Sequence, residues 1–280
     1  MEFLHDWVIP PGVTAPVWLY VSVAWVALMF SSVSKGGFGG GAGVVSVPLL
    51  LQVAPISFAV GMWLPMLIVC DIFTIRQYPQ EWRWQGISRT VVATVAGVLT
   101  GAVLLWMLKA NGDTTDGSKE AQLGAWLKLG VAVISLVFLF LWLRPGQPAK
   151  AEPWKPDWAW SSVAGVSSGI SSTLAHAAGP IMTMYLLAQK MDKREFVGTT
   201  GRYFFGLNTL KVPFLVFAGV ITWETLQYGL WLMILAPLGV WLGAWLNKKI
   251  NATWFLRIVY FFLGLTALKL AYNAFSRLLV

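Results

Sequence analysis

Two stretches of small residues interrupt apolar segments, and each could place polar groups inside an apolar protein. They read SSVSKGGFGGGAGVVSVPLLL over residues 31–51 and SSGISSTLAHAAGPIMTMYLL over residues 167–187, and Gly43 aligns with Gly179. Successive glycines make a poor helix interior, because glycine loses the most backbone entropy on ordering. At membrane depth such a break must be buried in protein or line a cavity. Helices that start near Gly43 and Gly179 would present free amides and a positive dipole end, which suits an anion.

Three basic residues lie beside or beyond these breaks. Lys35 adjoins the first glycine run, and Arg202 and Lys211 lie within a long apolar segment of the second half. A charge deep in a bilayer costs about 3 kcal/mol even on the most lenient scale, so it usually faces a cavity or a partner. Asp71 is the only acidic residue well inside a segment. One carboxylate cannot neutralise three cations, and the surplus positive charge favours an anionic ligand.

Neutral donors near the breaks complete the expected anion site. The further candidates for substrate binding are Gly39, Gly40, Gly41, Ser172, His176, Gly179, Thr200 and Asn208, and the hydroxyls of Ser171, Thr173 and Thr199 could add neutral donors. Each hydroxyl has an alternative partner in its own helix backbone. Asp71 and His176 are candidates for carrying a coupling proton, and the simpler alternative for His176 is a satisfied buried histidine.

The composition predicts a polytopic, all-α membrane protein. The chain is 57% hydrophobic and only 11% charged, whereas a soluble domain is about a quarter charged. A formal net charge of +8 fits basic loops on the cytoplasmic side of a lipid bilayer and needs no nucleic acid. The single cysteine excludes an internal disulfide, and the sequence contains no Cys/His cluster with metal-ligand spacing. We therefore expect no cofactor and no metal.

The chain divides into two similar halves around a proline-rich linker. We expect a first repeat over residues 1–143, a cytoplasmic linker over 144–157 and a second repeat over 158–280, within one integral membrane domain. About five helical segments form each repeat, and the first two are short or broken at the small-residue run. The expected segments are 17–34, 44–53, 56–76, 90–108 and 123–143, then 158–172, 180–188, 196–218, 226–246 and 254–275. An odd number of segments per half makes the repeats inverted.

The distribution of lysine and arginine supports this topology. With the N-terminus outside, the loops predicted to be cytoplasmic carry Arg76, Arg83, Arg89, Arg144, Lys150, Lys155, Lys190, Lys193, Arg194, Lys248 and Lys249. The opposite side carries only Lys109, Lys119 and Arg277. This bias predicts a multi-pass protein of the inner (cytoplasmic) membrane with its N-terminus outside.

Several motifs resemble those of a known family. KGGFGGGAG leading into VVSVPLLL and FAVGM, and then SSGISS, AAGPIMTMYLL and EFVGTT, are similar to the two signatures of the sulfite exporter TauE/SafE family. The likeness covers about residues 17–275. Family members usually carry a second glycine run, whereas residues 175–179 here read AHAAG. The resemblance implies a secondary transporter that exports sulfite, sulfoacetate or a related small organosulfonate.

The residues themselves leave three functions open. The first is such an anion transporter, working by alternating access between the two breaks. The second is an anion channel of the same architecture. The third is an intramembrane hydrolase using Ser172 and His176, which lacks a nucleophile-elbow sequence and an evident orienting acid. A homodimer is also left open.

Overall fold

The described part of the chain is helical and contains no strand. The computed structural model describes residues 9–10, 13, 15–40, 46–50, 53–54, 56–110, 155–175 and 178–278, with isolated positions at 129, 133, 136 and 140. The expected segment over 123–143 and most of the 144–157 linker therefore lie outside the described residues. The helices are α1 (Val17–Phe38), α2 (Ser46–Leu50), α3 (Ile56–Gln77), α4 (Ser88–Ala110), α5 (Trp158–Ala175), α6 (Ala178–Leu187), α7 (Lys193–Phe217), α8 (Trp223–Met233), α9 (Ala236–Lys249) and α10 (Ala252–Leu278).

Two of these helices are long and apolar enough to cross a membrane by themselves. They are Val17–Phe38 and the Ala252–Lys269 part of α10. Helices α8 and α9 would make a third span if taken together, although they meet at a bend of 48°. The expected segment over 226–246 therefore lies on two helices joined at a bend, and the bend was not predicted. Pro237 lies at the start of α9, where its ring and missing N–H prevent α8 from continuing.

Four of the loops predicted to be cytoplasmic meet at one end of the helix bundle, which we call the basic end. Arg89 donates to the carbonyl of Pro156, and Gln189 donates to the carbonyl of Gly86. Lys193 donates to the carbonyls of Asn247 and Ile250. These bonds join the α3–α4 loop, the residues before α5, the α6–α7 loop and the end of α9, so the described parts of these loops share a side as predicted.

The first helices of the two halves run in opposite directions relative to the basic end. Helix α1 ends close to it, because Tyr78 donates to the carbonyl of Gly36 and Asn247 donates to that of Gly37. Burial raises the pKa of the Tyr78 phenol, so Tyr78 remains a neutral donor. Helix α5 begins at the basic end, just after the Arg89–Pro156 contact.

Both breaks reverse the direction of the chain. After the first break, Val53 and Ala54 belong to the same hydrophobic cluster as Tyr20, near the start of α1, and α3 then runs back from there to the basic end. After the second, Tyr185 in α6 hydrogen-bonds Ser161 in α5, which returns the chain to the basic end. Helix α2 has five residues and α6 has ten, and at 1.5 Å per residue neither is long enough to cross a bilayer.

Tight crossings between small residues hold the two halves together. Helix α4 packs in parallel on α5, and α1 packs in parallel on α9. A β-carbon on Gly169 of α5 would lie 2.6 Å from the carbonyl oxygen of Thr94, and one on Gly243 of α9 would lie 2.3 Å from that of Val33. Backbones this close are typical of membrane helix pairs with small residues at the contact. In each crossing, the fourth segment of one half covers the first helix of the other.

These crossings predict a sharp difference between two glycines. Gly169→Ala should lower the free energy of unfolding by about 1–3 kcal/mol, because the new methyl group overlaps the backbone of α4. Gly206→Ala is the matched control, since a β-carbon there meets nothing within 4 Å and alanine favours the helix. Thermal midpoints in detergent should fall by several degrees for Gly169→Ala and stay or rise for Gly206→Ala. Equal midpoints for the two variants would contradict the close crossing.

Candidate functional site

The end of α1 brings the first glycine run against α7. Gly39 has a φ of 73° and Gly40 a φ of 77°, in the left-handed region that favours glycine, and the N–H of Gly40 bonds the carbonyl of Ser34. A β-carbon on Gly39 would lie 2.5 Å from Cε1 of Phe196 and 3.0 Å from Oγ1 of Thr200. Both the turn and the close approach therefore require glycine at position 39, and the turn ends α1 one helical turn after Lys35.

Lys35, Asp71 and Asn208 form a hydrogen-bonded triad that is buried between α1, α3 and α7. The Lys35 ammonium pairs with Oδ1 of Asp71, and Nδ2 of Asn208 donates to Oδ2 at 2.8 Å. The three residues are 6%, 0% and 3% exposed. The Lys35 ammonium also lies 5.0 Å from the centroid of the Phe204 ring, a cation–π distance. Asp71 thus has a full set of partners and neutralises Lys35.

Lys211 is the other buried cation, and its arrangement differs. It is 1% exposed, and its Nζ donates to the Ser172 hydroxyl at 2.7 Å, with the Ser172 carbonyl at 3.5 Å. Lys211 forms no ion pair with any carboxylate of the described residues. A buried ammonium with only neutral partners retains most of its cost of burial. An anion beside Lys211 would offset that cost.

The two sets of contacts occupy corresponding places in the two halves. With a one-residue insertion that places residues 59–61 on 196–198, the alignment of the two halves pairs Asp71 with Asn208, and these two side chains bond each other where α3 crosses α7. Lys35–Asp71 joins the broken helix α1 to α3, and Ser172–Lys211 joins the broken helix α5 to α7. The first half places its cation on the broken helix, and the second half places its cation on the third segment.

Several hydroxyls around the breaks have no partner. Within the described part of the chain, the hydroxyls of Ser34, Ser46, Ser171 and Thr183 are buried and form no hydrogen bond. Ser34 and Ser46 flank the first break, and Ser171 and Thr183 flank the second. Unsatisfied buried hydroxyls are uncommon and call for an explanation. Of these four, only Ser171 was among the neutral donors expected from the sequence, although Ser46 and Thr183 lie in the two short segments and carry the same hydroxyl group.

Arg202 lies apart from the Lys35–Asp71–Asn208 triad and from Lys211 with Ser172, which together we call the polar centre. Its guanidinium donates to the carbonyls of Tyr78 at 3.0 Å, Pro79 at 2.8 Å and Gly198 at 3.1 Å. It also lies 4.7 Å from the centroid of the Trp82 ring. These contacts hold the α3–α4 loop against α7 near the basic end. They assign Arg202 to the packing of that end rather than to the triad or to Lys211.

The remaining candidates differ in their surroundings. Thr200 donates to the carbonyls of Phe196 and Val197 in its own helix, the alternative that any helical hydroxyl has. Gly179 is buried in the first turn of α6, where free amides are expected. Helix α2 has only five residues, so the dipole argument applies to α6 rather than to the first break. Gly41, Gly43 and His176 lie outside the described residues.

The described helices enclose buried charged residues near two breaks at which the chain reverses its direction. This arrangement, in a chain so rich in apolar residues, is that of a polytopic membrane protein with a polar centre. The chain belongs to the sulfite exporter TauE/SafE family, because the sequence model of that family matches residues 24–270. The matched span contains both breaks, the triad and Lys211. Members of the family are membrane transporters and not enzymes. Searches of curated proteins and of solved structures found no match to the chain.

The Lys35–Asp71 ion pair predicts that substitutions of its two residues have non-additive effects on stability. Lys35→Met should destabilise the protein by about 3–5 kcal/mol, because it leaves the Asp71 carboxylate buried without its counter-ion. The double variant Lys35→Met with Asp71→Leu should recover most of that loss, since neither charge remains. Thermal midpoints of the two single variants and the double variant in detergent form the cycle. Additive losses would contradict the pairing.

Proposed function

We propose that this protein exports a small sulfur-containing anion, such as sulfite, sulfoacetate or a related organosulfonate, across the cytoplasmic membrane. The observation that carries the proposal is Lys211, a buried ammonium whose described partners are neutral. Membership in a transporter family supports the transport class. The anion would bind between the two breaks, beside Lys211 and the Ser172 hydroxyl that it contacts.

The two halves are, we infer, inverted repeats. Three features support this reading: the opposite directions of α1 and α5, the reciprocal crossings of α4 on α5 and α9 on α1, and the bond between the equivalent residues Asp71 and Asn208. In such proteins the substrate site lies at the interface of the repeats. The basic end would face the cytoplasm, where lysine and arginine are enriched.

Export of an anion in this orientation needs no nucleotide. An inside-negative membrane potential favours anion exit by about 2.3 kcal/mol per charge per 100 mV. A coupling ion would add to or reduce this driving force, and Asp71 and His176 remain the candidates for a proton. Flux of a panel of small sulfonates in proteoliposomes is the direct test. Counterflow indicates a transporter, whereas single-channel currents would favour the channel of the same architecture.

The site assignment predicts different effects for two cations. Lys211→Met should lower kcat/KM for sulfonate flux at least about tenfold, since it removes the unpaired ammonium. Arg202→Met is the matched control: it should lower the thermal midpoint and leave KM unchanged, because Arg202 binds backbone carbonyls near the basic end. A raised KM in Arg202→Met together with an unchanged KM in Lys211→Met would reverse the assignment.

Alternating access requires the basic end to open, and two ion pairs close it across the halves. Arg83 in the α3–α4 loop makes a bidentate pair with Glu195 of α7, with bonds of 2.9 and 2.7 Å. Arg194 pairs with Glu81 beside it. Both pairs are partly exposed, so each is weak enough to separate during transport.

A reversible cross-link tests this opening. Arg83→Cys with Glu195→Cys, in a background of Cys70→Ala, should lose flux when a short bifunctional thiol reagent joins the two cysteines. Flux should return after reduction, because the basic end can open again. Each single-cysteine variant treated in the same way is the control. Undiminished flux in a fully cross-linked protein would show that this end does not need to open.

A further inference from the structure

We propose that the polar centre selects anions that carry one net negative charge. This inference rests on the proposed function and specifies its substrate class. It follows from the charges that the structure buries, and not from the shape of a pocket.

The charge of the centre is set by three side chains. Among the described residues, the charged side chains that are buried are Lys35, Asp71 and Lys211. Their formal sum is one positive charge. Lys35 and Asp71 neutralise each other through direct contact, so the surplus resides on Lys211. Asn208 occupies the position equivalent to Asp71 and is neutral, so the second half adds no carboxylate.

Arg202 adds no free donor to this centre. Its bonds to Tyr78, Pro79 and Gly198 commit the guanidinium to the basic end. One ammonium therefore remains for the substrate. Ser172, which already accepts from Lys211, and the unpartnered hydroxyls of Ser171 and Thr183 would supply neutral polar contacts.

Charge balance then discriminates among small sulfonates of similar size. A monoanion leaves the occupied centre neutral, and a dianion leaves one uncompensated negative charge in apolar surroundings, which is costly. A zwitterion brings an ammonium that needs a carboxylate, and Asp71 already bonds Lys35 and Asn208. At neutral pH, methanesulfonate carries one net negative charge, sulfoacetate carries two, and taurine has no net charge.

The first experiment compares these three compounds in proteoliposome flux by the full chain. We expect kcat/KM for methanesulfonate to exceed the values for sulfoacetate and taurine at least about tenfold. Equal or higher values for sulfoacetate or taurine overturn the charge selection and leave the proposed function intact. Absence of flux for every sulfonate overturns both.

Matched substitutions change the charge count by one in each direction. Asp71→Asn raises the sum to two and should shift the sulfoacetate-to-methanesulfonate ratio at least about tenfold toward the dianion. Ser172→Asp gives Lys211 a carboxylate and should abolish methanesulfonate flux, whereas the neutral Ser172→Asn should keep the parental preference. The ratio of two substrates in one preparation is independent of the folded yield. An unchanged ratio in Asp71→Asn, or equal loss in both Ser172 variants, overturns the proposal.

Discussion

Burying a charge in an apolar bundle is costly, and this cost dictates which groups surround the buried ionisable residues. Lys35 and Asp71 reduce this cost for each other, because each supplies the other with a counter-ion, and Asn208 donates a hydrogen bond to the second carboxylate oxygen. Lys211 offsets only part of its cost of burial, through hydrogen bonds to the hydroxyl and the carbonyl of Ser172. A protein under selection for stability alone gains nothing from an ammonium in that position, since an apolar side chain of similar volume would avoid the cost. The unmatched charge is therefore the strongest indication of a ligand.

The helix crossings explain how these groups come within reach of one another. Lys35 reaches Asp71 from the end of a helix that breaks at Gly39, and the break is tolerated because protein surrounds it on the α7 side. The backbones of α1 and α9, and those of α4 and α5, approach so closely that a β-carbon would overlap a carbonyl oxygen. Small residues thus do more than interrupt helices, because they also let the fourth segment of each half support the broken helix of the other.

The sequence predicted the long elements and the polar centre, but not the partners within it. Apolar length and composition were sufficient to locate α1, α3, α4, α7 and α10, since these properties depend on local sequence alone. The bend between α8 and α9 was missed even though Pro237 marks it, because hydropathy averaged over a window does not register a single missing N–H.

Arg202 and Lys211 looked alike as isolated charges in one apolar segment. They differ because they are nine positions apart along α7. Arg202 therefore lies beside the carbonyls of the α3–α4 loop, and Lys211 lies beside Ser172. Such long-range contacts are set by the packing of the halves, and no local pattern reports them.

The antiparallel pair of α3 and α7 links the basic end to the polar centre mechanically. Near the basic end, Arg202 holds the residues after α3, and Arg83 binds both Glu195 and, through its backbone N–H, Thr199. Further along the same pair, a β-carbon on Gly201 would lie 2.8 Å from Cγ2 of Thr74. Beyond that contact, Asp71 and Asn208 bond across the two helices. If α3 and α7 separate as stiff elements, a movement that breaks the partly exposed ion pairs would also strain this buried bond. The proposed opening of the basic end would therefore loosen the partners of Asp71 and change the charge near Lys211, and in this way it would link access to the proposed site with release of the proposed anion.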